Sequence, residues 1–142
     1  RNARAMTLMS ELREEFAHTG LPIVISGNVG PRGDAYDPAS VDAIEDYEAY
    51  HRAQIEGFAR SAADFISAFT ITNVPEAIGV VRAAVAAGMP VVISFTVETD
   101  GRLPTGIGLR DAIEAVDAAT NAAPVYYMIN CAHPDHFDAV LD

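Results

Sequence analysis

The sequence predicts an α/β fold built on parallel strands, and three observations carry that prediction. Short apolar runs alternate along the chain with segments of helical periodicity. The runs themselves (LPIVIS, FISAFTI, PVVISFT and PVYYMIN) show no apolar–polar alternation, which suits strands buried on both faces. Between successive runs lies enough chain for a helical crossover, as parallel pairing requires.

Ala5, Met9, Leu12 and Phe16 recur at spacings of four, three and four, one apolar face of an opening helix, and Gly20 supplies its stop. Residues 21–26 then read as a strand. Residues 27–39 form a long loop with three glycines and two prolines. Ser40 is placed to cap the next helix, which should run through Tyr47, Ile55, Phe58 and Ala62. From there the pattern tightens. Residues 65–71 read as a strand, and residues 75–87 as a helix with Ala77, Val80, Val81, Ala84 and Val85 on one face and Gly88 as its stop. Residues 90–96 are the strongest strand signal. A polar turn with Asp100, Gly101, Pro104 and Gly106 leads to a helix marked by Leu109, Ala112, Ile113 and Val116. Residues 124–130 read as the fourth strand, followed by Cys131 and a short helical piece near residues 137–141.

Composition narrows the partners. The 142 residues are 50% hydrophobic, with no shift that marks a second domain. Nine Lys and Arg stand against 20 Asp and Glu, a net charge of −11. That balance disfavours nucleic acid, whose binding rests on basic side chains at phosphates, and disfavours an anionic membrane surface. No apolar run approaches the ~18 residues that span a bilayer. Arg1 to Arg4 lead into an amphipathic helix, so no secretory signal is expected from them. A single cysteine forms no internal disulfide, which fits a reducing cytoplasm.

The chain opens in a helix with no strand before it, does not begin with Met, and stops just after a strand. A full (β/α)8 barrel takes about 250 residues. The expectation is therefore a partial (β/α)8 TIM barrel, with residues 1–142 an internal piece of about four central βα units. An open four-stranded sheet standing alone is the competing architecture.

In such a barrel the working residues lie at the C-terminal ends of strands. That rule selects Gly27, Asn28 and Gly30; Thr70, Thr72 and Asn73; Thr96, Glu98 and Asp100; and Asn130, Cys131 and His133. A thiol at Cys131 has the chemistry of a nucleophile or a metal ligand, and equally that of a small buried residue. Cys131, His133 and His136 are all zinc-binding types, but a helical entry turn would aim the histidines elsewhere, as caps or solvated groups. The run GNVGPRGD lacks both the G-x-G-x-x-G and the P-loop spacing, so a nucleotide fingerprint is rejected. Its glycines either permit a close approach of backbone to ligand or make a plain loop. Glu98 and Asp100 offer a carboxylate to a substrate ammonium, or are simply solvated. Tyr47, Tyr50 and His51 carry default packing and surface roles on their helix, and Asp42, Glu45, Asp46 and Glu48 favour its dipole.

Taken together, the strand ends resemble those of the homocysteine S-methyltransferases, over nearly the whole chain. SGNVGPRGDAY resembles the family's loop after its third strand, and AYHRAQIEGFARSAADFI the helix leading to its fourth. Val74-Pro75-Glu76-Ala77 matches the start of the next helix, GMPVVISFTVETDGRLPTG the fifth strand and its loop, and YYMINCAHP the sixth strand with its Asn-Cys pair. The resemblance implies that Cys131 is one of three cysteine ligands of a zinc ion. The other two belong to a Cys-Cys turn that this sequence does not contain. It implies homocysteine as acceptor and a small sulfonium, quaternary ammonium or folate methyl donor, with methionine as product. The acceptor thiol, with a pKa near ~8.5 if it behaves like Cys, is activated as a zinc-bound thiolate. Glu98, Asp100, Asn130, Thr70 and Asn28 become the implied substrate-binding residues. Phe69 departs from the pattern, since the family commonly has Glu there. That departure supports an alternative, a small-molecule-binding barrel without catalysis that has lost its zinc site.

Overall fold

Strand β2 (Phe65–Ile71) lies between two parallel partners, and the rest of the architecture follows from it. The computed structural model of the chain describes residues 2–37 and 40–140. Its elements run in the order α1 (Asn2–Glu15), β1 (Ser26–Val29), α2 (Ile44–Ala59), β2, α3 (Val74–Ala86), β3 (Val91–Phe95), α4 (Leu109–Thr120) and β4 (Tyr127–Ile129). Short 3-10 turns follow α1 and β4, at Ala17–Thr19, Pro134–His136 and Asp138–Val140. The four strands form one parallel sheet in sequential order, β1-β2-β3-β4.

One face of the sheet is dry. Ile66, Ala68, Ile71, Val91, Ile93 and Phe95 are buried there, against Ile55 and Phe58 of α2, Val80 and Val81 of α3, and Leu109 and Val116 of α4. Every second strand residue faces this way. The helices α2, α3 and α4 therefore lie side by side over a single face, without the order reversal of a doubly wound sheet. Gly79 sets the closeness of α2 and α3. A Cβ there would stand 2.6 Å from Tyr47 Cβ and 2.8 Å from the Glu48 backbone nitrogen.

The opposite face changes character along the strands. Near the strand starts it is an apolar groove lined by Val24, Phe65, Pro90, Val92, Val125 and Tyr126. Further along come Ser26, Ser67 and Ser94, and then Thr96 and Asn130. Polar groups thus collect toward the C-terminal ends of the strands.

The elements differ from the sequence expectation in particular places. β2 occupies the residues expected for it, α3 and β3 lie within a residue of theirs, and α4 contains Leu109, Ala112, Ile113 and Val116, the residues expected to mark it. The first strand is displaced: residues 21–25 are not strand, and β1 extends into the expected loop. Its ladder needs β2, and Ser26 is the residue opposite Phe65, where β2 begins. Leu21 and Val24 are consequently exposed, while Ile25 is held by the Asp64 side chain, which accepts its N–H at 2.6 Å. Ser40 does not cap α2. The cap position is Ala43, without a side-chain bond, and the helix ends at Ala59, short of Ala62. In α1 the expected face is exposed at Ala5, Met9, Leu12 and Phe16, and only Met6 is buried. No second element among the described residues covers that stripe, and α1 is tied down instead by Arg13 to Asp64 at 2.8 Å. Val85 is likewise exposed, and β4 is shorter than expected. The expected helical piece near residues 137–141 is a 3-10 turn at Asp138–Val140, and Leu141 lies outside the described residues, as do Pro38 and Ala39. No described helix is long and apolar enough to cross a membrane.

Candidate functional site

The site grows from an irregularity in β2. Its register to β3 shifts between Ala68 and Ile71, which turns Thr70 out of the regular ladder with φ at 61°. A β-branched residue in the left-handed region is a genuine outlier, held only where its surroundings over-determine it. Here the surroundings are Asn130, at the end of β4. The Asn130 Oδ1 accepts from the Thr70 N–H at 3.1 Å, and its Nδ2 donates back to Thr70 Oγ1 at 3.0 Å.

The amide does more than hold Thr70. Ser94 on β3 donates its hydroxyl to Asn130 Oδ1 at 2.7 Å, and Asn130 Nδ2 reaches Cys131 Sγ at 3.2 Å. Both lone pairs and both protons of the amide are thereby used, which fixes its orientation. The backbone is fastened as well. Asn130 N–H donates to Phe95 O at 3.0 Å, and Thr96 Oγ1 donates to Asn130 O at 3.1 Å. Cys131 also has a positive φ, 56°, and its thiol is exposed. The outcome is an open thiol at the C-terminal end of the sheet, oriented by a fully engaged amide.

Of the expected site residues, Thr70, Asn130 and Cys131 come together, with Thr96 beside them. Asn28 is exposed on β1, its Oδ1 3.0 Å from Ser26 Oγ, which in turn pairs with Ser67 Oγ at 2.8 Å. Glu98 is exposed in the turn after β3, where its N–H donates to Arg102 O at 2.7 Å. Asp100 is engaged locally, its Oδ1 accepting from Arg102 N–H at 3.1 Å. His133 caps the turn after β4, its Nδ1 accepting from Asp135 N–H at 3.3 Å, with its ring 6.0 Å from that of His136. Among the described residues no three His, Cys, Asp or Glu side chains form a metal-binding group. Phe69 sits half-buried in the β2 irregularity.

Two parts of the strand-end architecture escaped sequence reasoning. Ser94 was hidden inside an apolar strand, although a fully buried hydroxyl there was itself a signal. His51 and Glu76, assigned a default role and a helix start, are both buried and pair at 2.9 Å. Behind the site, Tyr127 stacks on Phe95 with ring centroids 6.1 Å apart and donates to Asp117 at 2.6 Å. Burial, with the hydrogen bond to the Asp117 carboxylate and its charge, pushes the Tyr127 phenol far above its ordinary value.

The described residues thus define an α/β domain with one parallel sheet and an exposed, amide-oriented thiol at the C-terminal ends of its strands. The chain belongs to the homocysteine S-methyltransferase family, whose profile matches residues 1–142. No curated protein matches the sequence. The structure is similar to that of the homocysteine methyltransferase MmuM from Escherichia coli. The metallated form of that enzyme superposes with a TM-score of 0.81 at 23% identity, covering 94% of this chain and 49% of that one. The apo form gives 0.74 at 22%, covering 96% and 53%, and the oxidized form 0.79 at 24%, covering 94% and 49%. At these identities the likeness is one of fold. The chain spans about half the length of these structures.

Proposed function

We propose that this chain forms the central part of a homocysteine-binding barrel domain and supplies one thiolate, Cys131, to a catalytic zinc ion. The protein's reaction, in this reading, is transfer of a methyl group from a small donor to the thiol of homocysteine, forming methionine. The observation that carries the reading is the Asn130–Cys131 pair, with an exposed Sγ 3.2 Å from an amide nitrogen that has no freedom to turn away.

The residues present fit a zinc ion as a partial ligand set. Cys131 is the sole cysteine of the sequence, so the chain offers one thiolate, and two further ligands come from outside these 142 residues. Bound there, zinc supplies a Lewis acid that holds the acceptor sulfur as its thiolate. The chain's own residues do the rest. Asn130 fixes the direction of Cys131 Sγ, and Thr70 and Ser94 fix Asn130. Glu98 or Asp100, both on the turn after β3, holds the ammonium of the acceptor; Glu98 is exposed, and Asp100 lies 4.0 Å from Arg102. Asn28 lines the β1 side. Orienting acceptor and donor for in-line attack on the methyl carbon supplies much of the acceleration. A thiol that must stay reduced to serve as a ligand suits a reducing compartment such as the cytoplasm.

The test is a methyl-transfer assay on the full-length protein, offering homocysteine with sulfonium, quaternary ammonium and folate donors in turn. The reading expects methionine from one of them and its loss in Cys131→Ser. A second reading, binding without catalysis, is favoured by the apolar Phe69 at the β2 irregularity. It gives homocysteine binding with no methionine from any donor.

A further inference from the structure

The spacing Asn73-Val74-Pro75-Glu76 is that of a capping box, in which the third-position carboxylate reaches back to the backbone N–H of the cap. Half of the box is present, since Asn73 Oδ1 accepts the Glu76 N–H at 2.8 Å. The other half is diverted. The Glu76 carboxylate, only 1% exposed, takes three donors: the backbone N–H of Arg32 on Oε1 at 2.6 Å, His51 Nε2 on Oε1 at 2.9 Å, and Asn73 Nδ2 on Oε2 at 3.3 Å. One of these donors belongs to a remote loop, residues 30–37, which leaves β1 at the same sheet end as Cys131. A buried carboxylate is costly unless its oxygens are satisfied, and helix capping alone did not need one. His51 sharpens the point. It is equally buried and gives Nε2 to Glu76, while its Nδ1 has no hydrogen-bond partner among the described residues.

The loop meets this anchor with further contacts. Arg32 lays its guanidinium over the Tyr50 ring, 5.5 Å from the centroid, and pairs with Asp42 at 3.3 Å. Thr72, just after β2, donates its hydroxyl to Ala35 O, and Thr105 reaches Thr72 O at 3.5 Å. The loops after β1, β2 and β3 are thus joined in a chain, with Glu76 as a buried ionisable link.

We infer that Glu76, supported by His51, is a positioning residue that holds the loop after β1 as a preformed wall of the substrate pocket. The carboxylate fixes Arg32 N–H, the loop is thereby ordered before substrate arrives, and binding is spared the entropy of ordering it. The pocket's occupant rests on the methyltransferase reading, whereas the anchoring itself does not.

The test compares the full-length protein with Glu76→Gln and with the double variant His51→Leu/Glu76→Met. Replacing a buried, mutually hydrogen-bonded polar pair with apolar residues of similar volume tends to preserve stability, so the double variant separates anchoring from folding. Amide hydrogen exchange is read for residues 30–37 and for β2 and β3. In the double variant, loop protection falls at least about tenfold while strand protection holds. In Glu76→Gln, which keeps one acceptor oxygen, the loop loses less. KM for homocysteine rises several-fold in the double variant with kcat largely kept, the signature of lost binding and not of lost chemistry. Unchanged loop exchange in both variants overturns the inference. So does a fall shared equally by loop and strands in Glu76→Gln, which marks a role in folding only. A wild-type protein without methyl transfer defeats the methyltransferase reading, and the exchange comparison still judges the anchor.

Discussion

Thr70 and Asn130 lie sixty positions apart and bond each other twice, backbone N–H to Oδ1 at 3.1 Å and Nδ2 to Oγ1 at 3.0 Å. The bonds span β3, which contributes the Ser94 hydroxyl to the same amide. They compensate a left-handed φ at Thr70 that costs roughly 1–2 kcal/mol. Asn130→Ala removes the amide and leaves the Thr70 N–H and the Ser94 hydroxyl without partners. The expected loss is about 1–3 kcal/mol per group left unpaired, read as a lower denaturation midpoint. Thr70→Gly loses the hydroxyl but is free of the strain, so it is better tolerated than Thr70→Ala. If alanine proves the milder change, the strain assignment is wrong.

Gly79 presents two opposed effects. In a helix interior alanine is favoured over glycine by about 1 kcal/mol. Against this, a Cβ at Gly79 would meet Tyr47 Cβ at 2.6 Å and the Glu48 nitrogen at 2.8 Å, and backbone has little room to give. Overpacking of this kind costs roughly 1–3 kcal/mol, occasionally more, so the clash wins. Gly79→Ala should lower the melting temperature. A gain would mean that α2 and α3 are further apart than described.

Tyr127 gives the fold an alkaline limit. Its phenol is raised above the ordinary value of 10.0, chiefly by burial and then by Asp117. An unfolded chain therefore releases this proton first. The stabilisation is complete below about pH 10 and declines as pH rises beyond it. Stability measured across pH 9 to about 11 should fall more steeply in the wild type than in Tyr127→Phe. Parallel curves would contradict the assignment.

How much of this was legible in the sequence depends on where each determinant lies. β2 and α3 were readable because their signals are local: FISAFTI between polar segments, a helix opening at Pro75 and Gly88 as its stop. β1 was not, because LPIVIS is as good a strand as SGNV, and only the position of Phe65 decides which of them finds a partner. The apolar stripe of α1 was legible as a stripe, but periodicity says nothing of whether a surface exists to bury it. Cys131, Asn130 and Thr70 were reached by the strand-end rule, yet their convergence depends on an irregularity in β2 that no residue spacing announces. The diversion of Glu76 from its capping role was hidden for the same reason. A capping box looks alike in sequence whether its carboxylate turns to the helix or away from it.

The role of Cys131 as a zinc ligand is decided by the zinc content of the full-length protein and of its Cys131→Ser variant, each purified under reducing conditions without added metal. The prediction is about one zinc per wild-type chain, and loss of most of it in Cys131→Ser with the fold intact by circular dichroism. Equal zinc in the two proteins, or none in either, would contradict the assignment of Cys131 as a ligand.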